Sequence, residues 1–484
     1  MTTYKSVSRW WELMDRPFFH YLILTGLTLL ALVLRFYKLG QWSFWIDEIY
    51  TIGRAQTHVN FEAIIANWWH PSISVIFTGL ALHSFGVSEW SARLIPAIIG
   101  VISIPALYFP IKKVWNSHVS LIAMLLLAIS PWHLFWSQNA RYFTSLMLIY
   151  LLASFFIFLA IEEDRPVYII IFFGLLVLAI GERFYAFFLA PIVVSYILLL
   201  KFLPFPKPKG FRPRNLILIL GPGILLIVID ALRFLISGYS YFLASIELTY
   251  NQPVDDPFRL GISIVFNIGI PLVVLGFFGG LYLLSKKSRA GLFFLLNAVI
   301  PVILLLLLNP FIFTKDRYVF ITLPSWIILG AIAVKALFSQ SKQYSGKLLT
   351  VGILLLLLAD AIGANLLYYH VNNGNRRDWR QAFNLVQERG DVEDMVVTWW
   401  PELGNYYIEN EIISWRSVEP DMIVESGRNV WFVTDSETVW GNFPLKIWVE
   451  ENTELIEVLY LRLPEDDFYL RVYFYDPAKY VPVK

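Results

Sequence analysis

The chain has 484 residues, 57% of them hydrophobic and 17% aromatic, with only 15% charged. A soluble domain carries about a quarter charged residues, so most of this chain is built for a bilayer. A formal net charge of +1 gives no global field for nucleic acid, and the absence of cysteine excludes disulfides and thiolate metal sites.

Residues 1–17 carry Lys5, Arg9 and Arg16 against Glu12 and Asp15. The apolar run at 18–37 has the roughly 20 residues a spanning helix needs. No small-x-small cleavage site follows, so the expectation is an uncleaved anchor with a cytoplasmic N-terminus. Further apolar runs lie at about 92–111, 119–136, 143–161, 167–182, 184–203, 215–236, 259–284, 291–309, 318–338 and 348–369. The segment 70–86 is short, opens on His70-Pro71-Ser72, and fits either a span or an amphipathic interfacial helix.

Loop charge decides between these two. If 70–86 does not span, every dense basic cluster falls on the cytoplasmic side: Lys112 with Lys113, Lys201 to Arg214, Lys286 to Arg289, and Lys342 with Lys347. The expected fold is therefore a polytopic α-helical membrane protein over residues 1–370, with about 11 transmembrane helices. Its first extracytoplasmic loop, 39–90, holds amphipathic helices. An odd number of spans puts residues 371–484 outside. There the composition predicts a small extracytoplasmic α/β domain, with a helix at 379–388 and strands at 395–400, 429–434 and 468–475. The expected location is the cell membrane.

With this topology one outer surface gathers Asp47, Glu48, His70, Arg93, Gln138, Arg141, Glu182, Arg183, Lys315, Asp316 and Arg317, with Tyr50, Tyr142 and Tyr318 beside them. Single arginines at helix ends are ordinarily snorkelling side chains. The set as a whole runs against the bias that keeps basic residues inside, which points to a site. A carboxylate can take a proton from a hydroxyl nucleophile. Arginine and lysine can hold a phosphate that leaves with extra negative charge. At a membrane surface these parts suit transfer of a group from a polyprenyl phosphate to an acceptor hydroxyl. Asp360, alone in an apolar run, reads as a structural carboxylate.

At this point the residues carry a resemblance. Trp45-Ile46-Asp47-Glu48-Ile49-Tyr50-Thr51 resembles the first-loop Asp-Glu motif of the GT-C glycosyltransferase superfamily. His70-Pro71-Ser72, the block from Phe85 to Ala97 around Arg93, the block Ser130-Pro131-Trp132-His133 through Gln138 to Tyr142, Arg317-Tyr318 with Pro324, and Arg377-Asp378-Trp379-Arg380 continue it in order. Together they resemble the protein O-mannosyltransferase and lipid A aminoarabinose transferase branch, with the bacterial lipopolysaccharide core transferases. The resemblance covers nearly the whole membrane part.

It implies a polyprenyl-phosphate-linked sugar donor, membrane lipids around it, a lipid, glycan or protein acceptor, and no nucleic acid. Carried over by position, Asp47 is the catalytic base, and Glu48 orients Asp47 or the acceptor. Arg93, Arg141, Arg317 and Lys315 are assigned to the donor phosphate. Tyr50, His70, Gln138, Tyr142, Glu182, Arg183 and Tyr318 are assigned to the substrate cavity. Trp69-His70-Pro71-Ser72 lacks the acid and the Lys-Pro-Pro of the aminoarabinose transferases, so no cofactor is expected to be required and no metal ligand is assigned. Two rival classes are a polytopic transporter or flippase of lipid-linked sugars and a non-catalytic scaffold for envelope assembly. The first would place polar residues on broken helices near the bilayer midplane.

Overall fold

A computed structural model describes residues 17–57, 72–233, 256–340, 344–435, 443–461 and 469–479. Among these, seven helices are long and apolar enough to cross a membrane, or nine if each of two bent pairs is one span. The eleven apolar runs of the sequence each coincide with a helix or a bent pair, including the shorter Pro166–Glu182 and the Pro213–Arg233 helix. This is a multi-pass membrane protein.

The two breaks have physical causes. The Ser117–Ile129 and Pro131–Ser137 helices meet at 59°. Pro131 brings no N–H, so the carbonyls ending the first helix must find other donors. Arg35 supplies them from the Pro17–Phe36 helix, through Nη1 to Ala128 O (2.5 Å) and Nη2 to Leu127 O (3.1 Å). Asn365 Nδ2 donates to Ile129 O at 2.7 Å. The second break, 89° between Pro257–Ile268 and Ile270–Ser285, turns on Gly269 at φ +100°. That backbone region favours glycine, and Pro271 then starts the new helix.

The segment between the Pro17–Phe36 and Glu89–Val114 helices holds the Ile46–Thr57 and Ile73–Phe85 helices. The expectation of an amphipathic helix in 70–86 needs correction. The Ile73–Phe85 helix buries Val75, Thr78 and Leu82 against Ile46–Thr57 and Glu89–Val114, and exposes Phe77, Leu80 and Phe85. It also exposes His83 and Ser84 and buries Ser74 as well as Thr78, so polar and apolar groups are not segregated to opposite faces as in an interfacial helix.

Beyond the Tyr344–His370 helix the chain forms a five-stranded sheet, with β1 Met395–Thr398, β2 Glu411–Ser414, β3 Val430–Asp435, β4 Glu454–Tyr460 and β5 Tyr469–Tyr475. The strand order is β2-β1-β3-β5-β4. β1 lies parallel to β2 and β3, while β5 lies antiparallel to β3 and β4. The Trp379–Arg389 helix starts at Asp378, whose Oδ1 accepts the Gln381 N–H at 3.1 Å, and ends before Gly390.

This unit is fused to the segment that follows the Pro17–Phe36 helix. Phe44, Ile52 and Ala55 share one buried cluster with Trp379, Phe383, Leu403 and Trp431. The Tyr407 hydroxyl accepts the Phe44 N–H (2.7 Å) and donates to Glu89 Oε1 (2.9 Å), and Arg380 pairs with the same carboxylate. Ser43 Oγ donates to Arg377 O (2.8 Å) and accepts the Trp379 N–H (3.2 Å). The C-terminal unit thus sets the position of the helix that begins at Ile46.

Candidate active site

Asp47 and Glu48 open the Ile46–Thr57 helix, where a negative side chain faces the positive end of the helix dipole. Neighbours on a helix point about 100° apart, so the two carboxylates diverge. Glu48 turns inward and is completely buried. Arg93 grips it with a fork, Nε to Oε1 at 2.8 Å and Nη2 to Oε2 at 2.7 Å. The Ala140 N–H adds a bond at 2.8 Å, and Arg376 Nε stands 3.8 Å away. Burial opposes the charge, but Arg93, Arg376 and the Ala140 amide outweigh it and hold Glu48 below the ordinary carboxylate value.

Asp47 turns outward and is partly open. Its Oδ2 lies 3.5 Å from Arg141 Nη2 and 3.6 Å from Arg317 Nη2. No described residue donates a hydrogen bond to that oxygen. Arg141 is fixed by other bonds, with Nη1 on Asp47 O (2.8 Å) and on Thr51 Oγ1 (3.0 Å). Arg317 lies over the Trp45 ring at 5.7 Å, and Trp45 Nε1 donates to Asn139 Oδ1 at 2.6 Å. Asp47 Oδ2 is thus a buried carboxylate oxygen set between two guanidiniums, with no hydrogen bond to either.

Trp45 and Arg317 also line a cavity of about 650 Å³. Trp132, Trp136 and Trp379 form aromatic wall, and Arg376 and Arg377 add positive charge. Both helix breaks open into it, at Ser130-Pro131 and at Ile268-Gly269. Arg376 is placed by the turn before it. Gly374, at φ +62°, lies so close to Trp42 that a Cβ would approach its ring to 2.6 Å, and its carbonyl accepts from Arg376 Nη1 at 3.0 Å. The buried Arg376 Nε has no hydrogen-bond partner among the described residues. At Asp360 the cavity meets a second, apolar groove of about 820 Å³, walled by Pro271, Phe278, Ala333, Leu337 and Leu356.

The predicted residues separate into groups. Asp47, Arg141 and Arg317 come together. Arg93 is a correction: it is fully buried, and its five N–H groups go to Glu48 and to the carbonyls of Leu39, Trp42 and Ser43, leaving none for a phosphate. Gln138 is a second correction. Its amide donates to Leu34, Arg35 and Tyr37 carbonyls and accepts from the Tyr368 hydroxyl, so it ties off the end of the first helix instead of lining the cavity.

Glu182 is likewise occupied, accepting from Ser72 Oγ (2.7 Å), Ser74 N (2.8 Å) and Ser74 Oγ (2.6 Å). Arg183 and Arg141 lie over the Tyr142 ring, at 4.7 and 5.2 Å. Tyr318 stacks on Tyr185 at 4.4 Å. Lys315 lies over Phe313 at 4.9 Å. Tyr50 faces the C-terminal unit, where burial and the charge of Glu402 push its hydroxyl up. His70 lies outside the described residues. Among the described residues no group of three or more His, Asp or Glu is arranged around a metal position.

Sequence reasoning did not single out Arg35, Arg376 or Tyr407 as residues that build the site. Only Arg376 gave a signal, as a basic pair with Arg377 just after the last apolar run.

The Asp-Glu helix, the apolar helices and the C-terminal α/β unit together define the fold. In fold the chain is similar to an archaeal oligosaccharyltransferase and to ArnT, both of known structure. Residues 70–220 match the family of dolichyl-phosphate-mannose-protein mannosyltransferases. A curated relative, dolichyl-phosphooligosaccharide-protein glycotransferase 2 of Pyrococcus furiosus, is 27% identical over 180 residues, 37% of this chain and 22% of that protein. The match thus spans about a fifth of the relative's length. The Archaeoglobus fulgidus oligosaccharyltransferase in the apo form superposes with a TM-score of 0.59 at 14% identity, covering 92% of this chain and 74% of that one. ArnT from Cupriavidus metallidurans in the apo state gives 0.58 at 13% identity, covering 95% and 99%. The same protein bound to undecaprenyl phosphate gives 0.53 at 14%, covering 93% and 97%.

Proposed function

We propose that this chain transfers a sugar from a polyprenyl-phosphate carrier to an acceptor hydroxyl at the outer face of the cell membrane, with inversion and with Asp47 as general base. The observation that carries the reading is the unbonded Asp47 Oδ2, 3.6 Å from Arg317, which itself lines an aromatic, arginine-bearing cavity that meets an apolar groove. The cavity suits a sugar phosphate and the groove suits an isoprenoid chain. Undecaprenyl phosphate bound to a protein of the same fold, and the dolichyl-phosphate-mannose family match, support a monophosphate carrier.

Arg317 and Arg376 take the phosphate. Charge-assisted hydrogen bonds contribute about 1.5–3 kcal/mol each, so Arg317→Ala and Arg376→Ala should each weaken donor use by about 10- to 100-fold. Purified protein incubated with labelled polyprenyl-phosphate sugars and membrane-derived acceptors tests the reading. Unchanged donor kinetics in both variants would mean that the carrier phosphate binds elsewhere.

Two broken helices lining one cavity are also what a transporter uses, which favours a lipid-linked sugar flippase as the second reading. The same protein in sealed vesicles separates the two: movement of the carrier across the bilayer without sugar transfer would establish the flippase.

The orientation is tested apart from activity. With no native cysteine, one engineered near Lys209 should be shielded from an impermeant reagent in intact cells, and one near Arg389 should be labelled. The opposite pattern would place the C-terminal unit in the cytoplasm.

A further inference from the structure

Asp47 stands between two cationic surfaces. The cavity with Arg317 and Arg376 lies on one side. On the other is a group that the cavity does not include, built on Arg141 and Arg183. Arg141 follows the short Pro131–Ser137 helix, and Arg183 ends the Pro166–Glu182 helix. Both guanidiniums rest on the Tyr142 ring, at 5.2 and 4.7 Å from its centroid. Each Nε is buried without a hydrogen-bond partner among the described residues.

Arg54 borders the same group. Asp47, Thr51 and Arg54 are spaced i, i+4, i+7 on one face of the Ile46–Thr57 helix. Burial, then the positive charges of Arg183 and Arg141, pull Arg54 below its ordinary value. Glu182, next in sequence to Arg183, has its oxygens engaged by Ser72 and Ser74. The cluster thus gathers the guanidiniums of Arg54, Arg141 and Arg183 against the carboxylates of Glu182 and Asp47.

A group-transfer site with one leaving phosphate needs one cationic surface for it. Resting on the reading above, we infer that the Arg141–Arg183 pair binds a phosphate ester or carboxylate on the acceptor, and so positions the acceptor hydroxyl at Asp47. Arg141 then belongs to the acceptor, not to the donor phosphate as its sequence motif suggests. In the step itself the acceptor oxygen bonds to the anomeric carbon and the carbon–oxygen bond to the carrier phosphate breaks. The electron pair leaves on the phosphate, and the hydroxyl proton goes to Asp47.

The test uses the full chain in nanodiscs and three probes: octyl glucoside 6-phosphate, octyl glucoside, and undecaprenyl phosphate. Wild type should bind the phosphorylated glycoside at least about 10-fold more tightly than the plain one, as one charge-assisted contact implies. Arg183→Gln should remove that difference, Arg183→Lys should keep part of it, and undecaprenyl phosphate binding should be unchanged in both. Nanodiscs with and without phosphatidylglycerol separate an acceptor anion from a bilayer headgroup. Competition by phosphatidylglycerol with no preference for the phosphorylated glycoside would overturn the inference. So would loss of undecaprenyl phosphate binding in Arg183→Gln, which would make the pair the donor site. Failure of wild type to bind undecaprenyl phosphate, or indifference of that binding to Arg376→Ala, would instead overturn the donor reading.

Discussion

Replacing Asp47 with Asn is expected to lower turnover by about 10²–10⁴-fold while leaving binding of the lipid carrier near its wild-type value, the range a positioned general base contributes. The substitution keeps the shape and removes the oxygen that accepts a proton. Carrier binding should survive, because Arg317 and Arg376 are anchored by more than Asp47. Arg317 rests on Trp45, and Arg376 bonds to Gln138 O at 2.7 Å.

The stereochemistry follows from the same geometry. A retaining double displacement needs a carboxylate nucleophile and a separate acid/base about 5 Å apart in the glycosidase analogy. Glu48 is sealed in the Arg93 fork and faces away. Asp316, on the cavity wall, accepts from Ser263 (2.5 Å), Asn267 (2.7 Å) and its own neighbour's N–H. Among the described residues, the Asp47 oxygen beside Arg317 accepts no hydrogen bond. A single displacement needs no more, since a phosphate departs without an acid. NMR of the product should show an inverted anomeric centre. A retained centre, or near-normal turnover in Asp47→Asn, would rule this mechanism out.

Much of the architecture was legible because a bilayer imposes long apolar runs, and each run is a helix or a bent pair here. The breaks were written in the sequence as well, as Ser130-Pro131 and Gly269-Ile270-Pro271, but hydropathy alone reads across them. Strands β1, β3 and β5 followed from aromatic and β-branched runs. β2 offers only Ile412 and Ile413 between Glu411 and Ser414, and β4 carries Glu454 and Glu457, so neither raised a strand signal.

The site was legible as a collection and not as roles. Arg93 and Arg317 look alike in sequence, each a basic residue beside aromatic or polar motifs on one face. What separates them is the set of carbonyls that Leu39, Trp42 and Ser43 aim at Arg93 from about 50 residues away, and only the fold supplies that. Gln138 was misassigned for the same reason, since its partners are the last carbonyls of the first helix.

Glu48→Gln is expected to act on stability more than on chemistry. The sequence motif suggests a second acid that orients the first, and a mild loss. The structure predicts a folding defect. Arg93 is fully buried, and Gln would leave its charge with no counter-ion there while halving the fork. Breaking a buried pair from one side costs about 3–5 kcal/mol, because the remaining charge stays desolvated. Arg376, 3.8 Å from the same carboxylate, adds to that cost. The expected result is a lower melting temperature and a lower yield of folded protein, with the surviving fraction turning over at a rate much closer to wild type than Asp47→Asn.

The pH dependence has a definite sign. The folded value of Glu48 lies below the unfolded one, about 4.3, so its contribution is fully present above that pH and is lost as pH falls through the folded value. Wild type should therefore lose melting temperature below about pH 4, and Glu48→Gln should flatten that slope. Arg93→Lys should be nearly as damaging, since one ammonium cannot serve both carboxylate oxygens and three carbonyls at once. If Glu48→Gln melted like wild type yet turned over as slowly as Asp47→Asn, the buried fork would have to be reassigned from scaffold to chemistry.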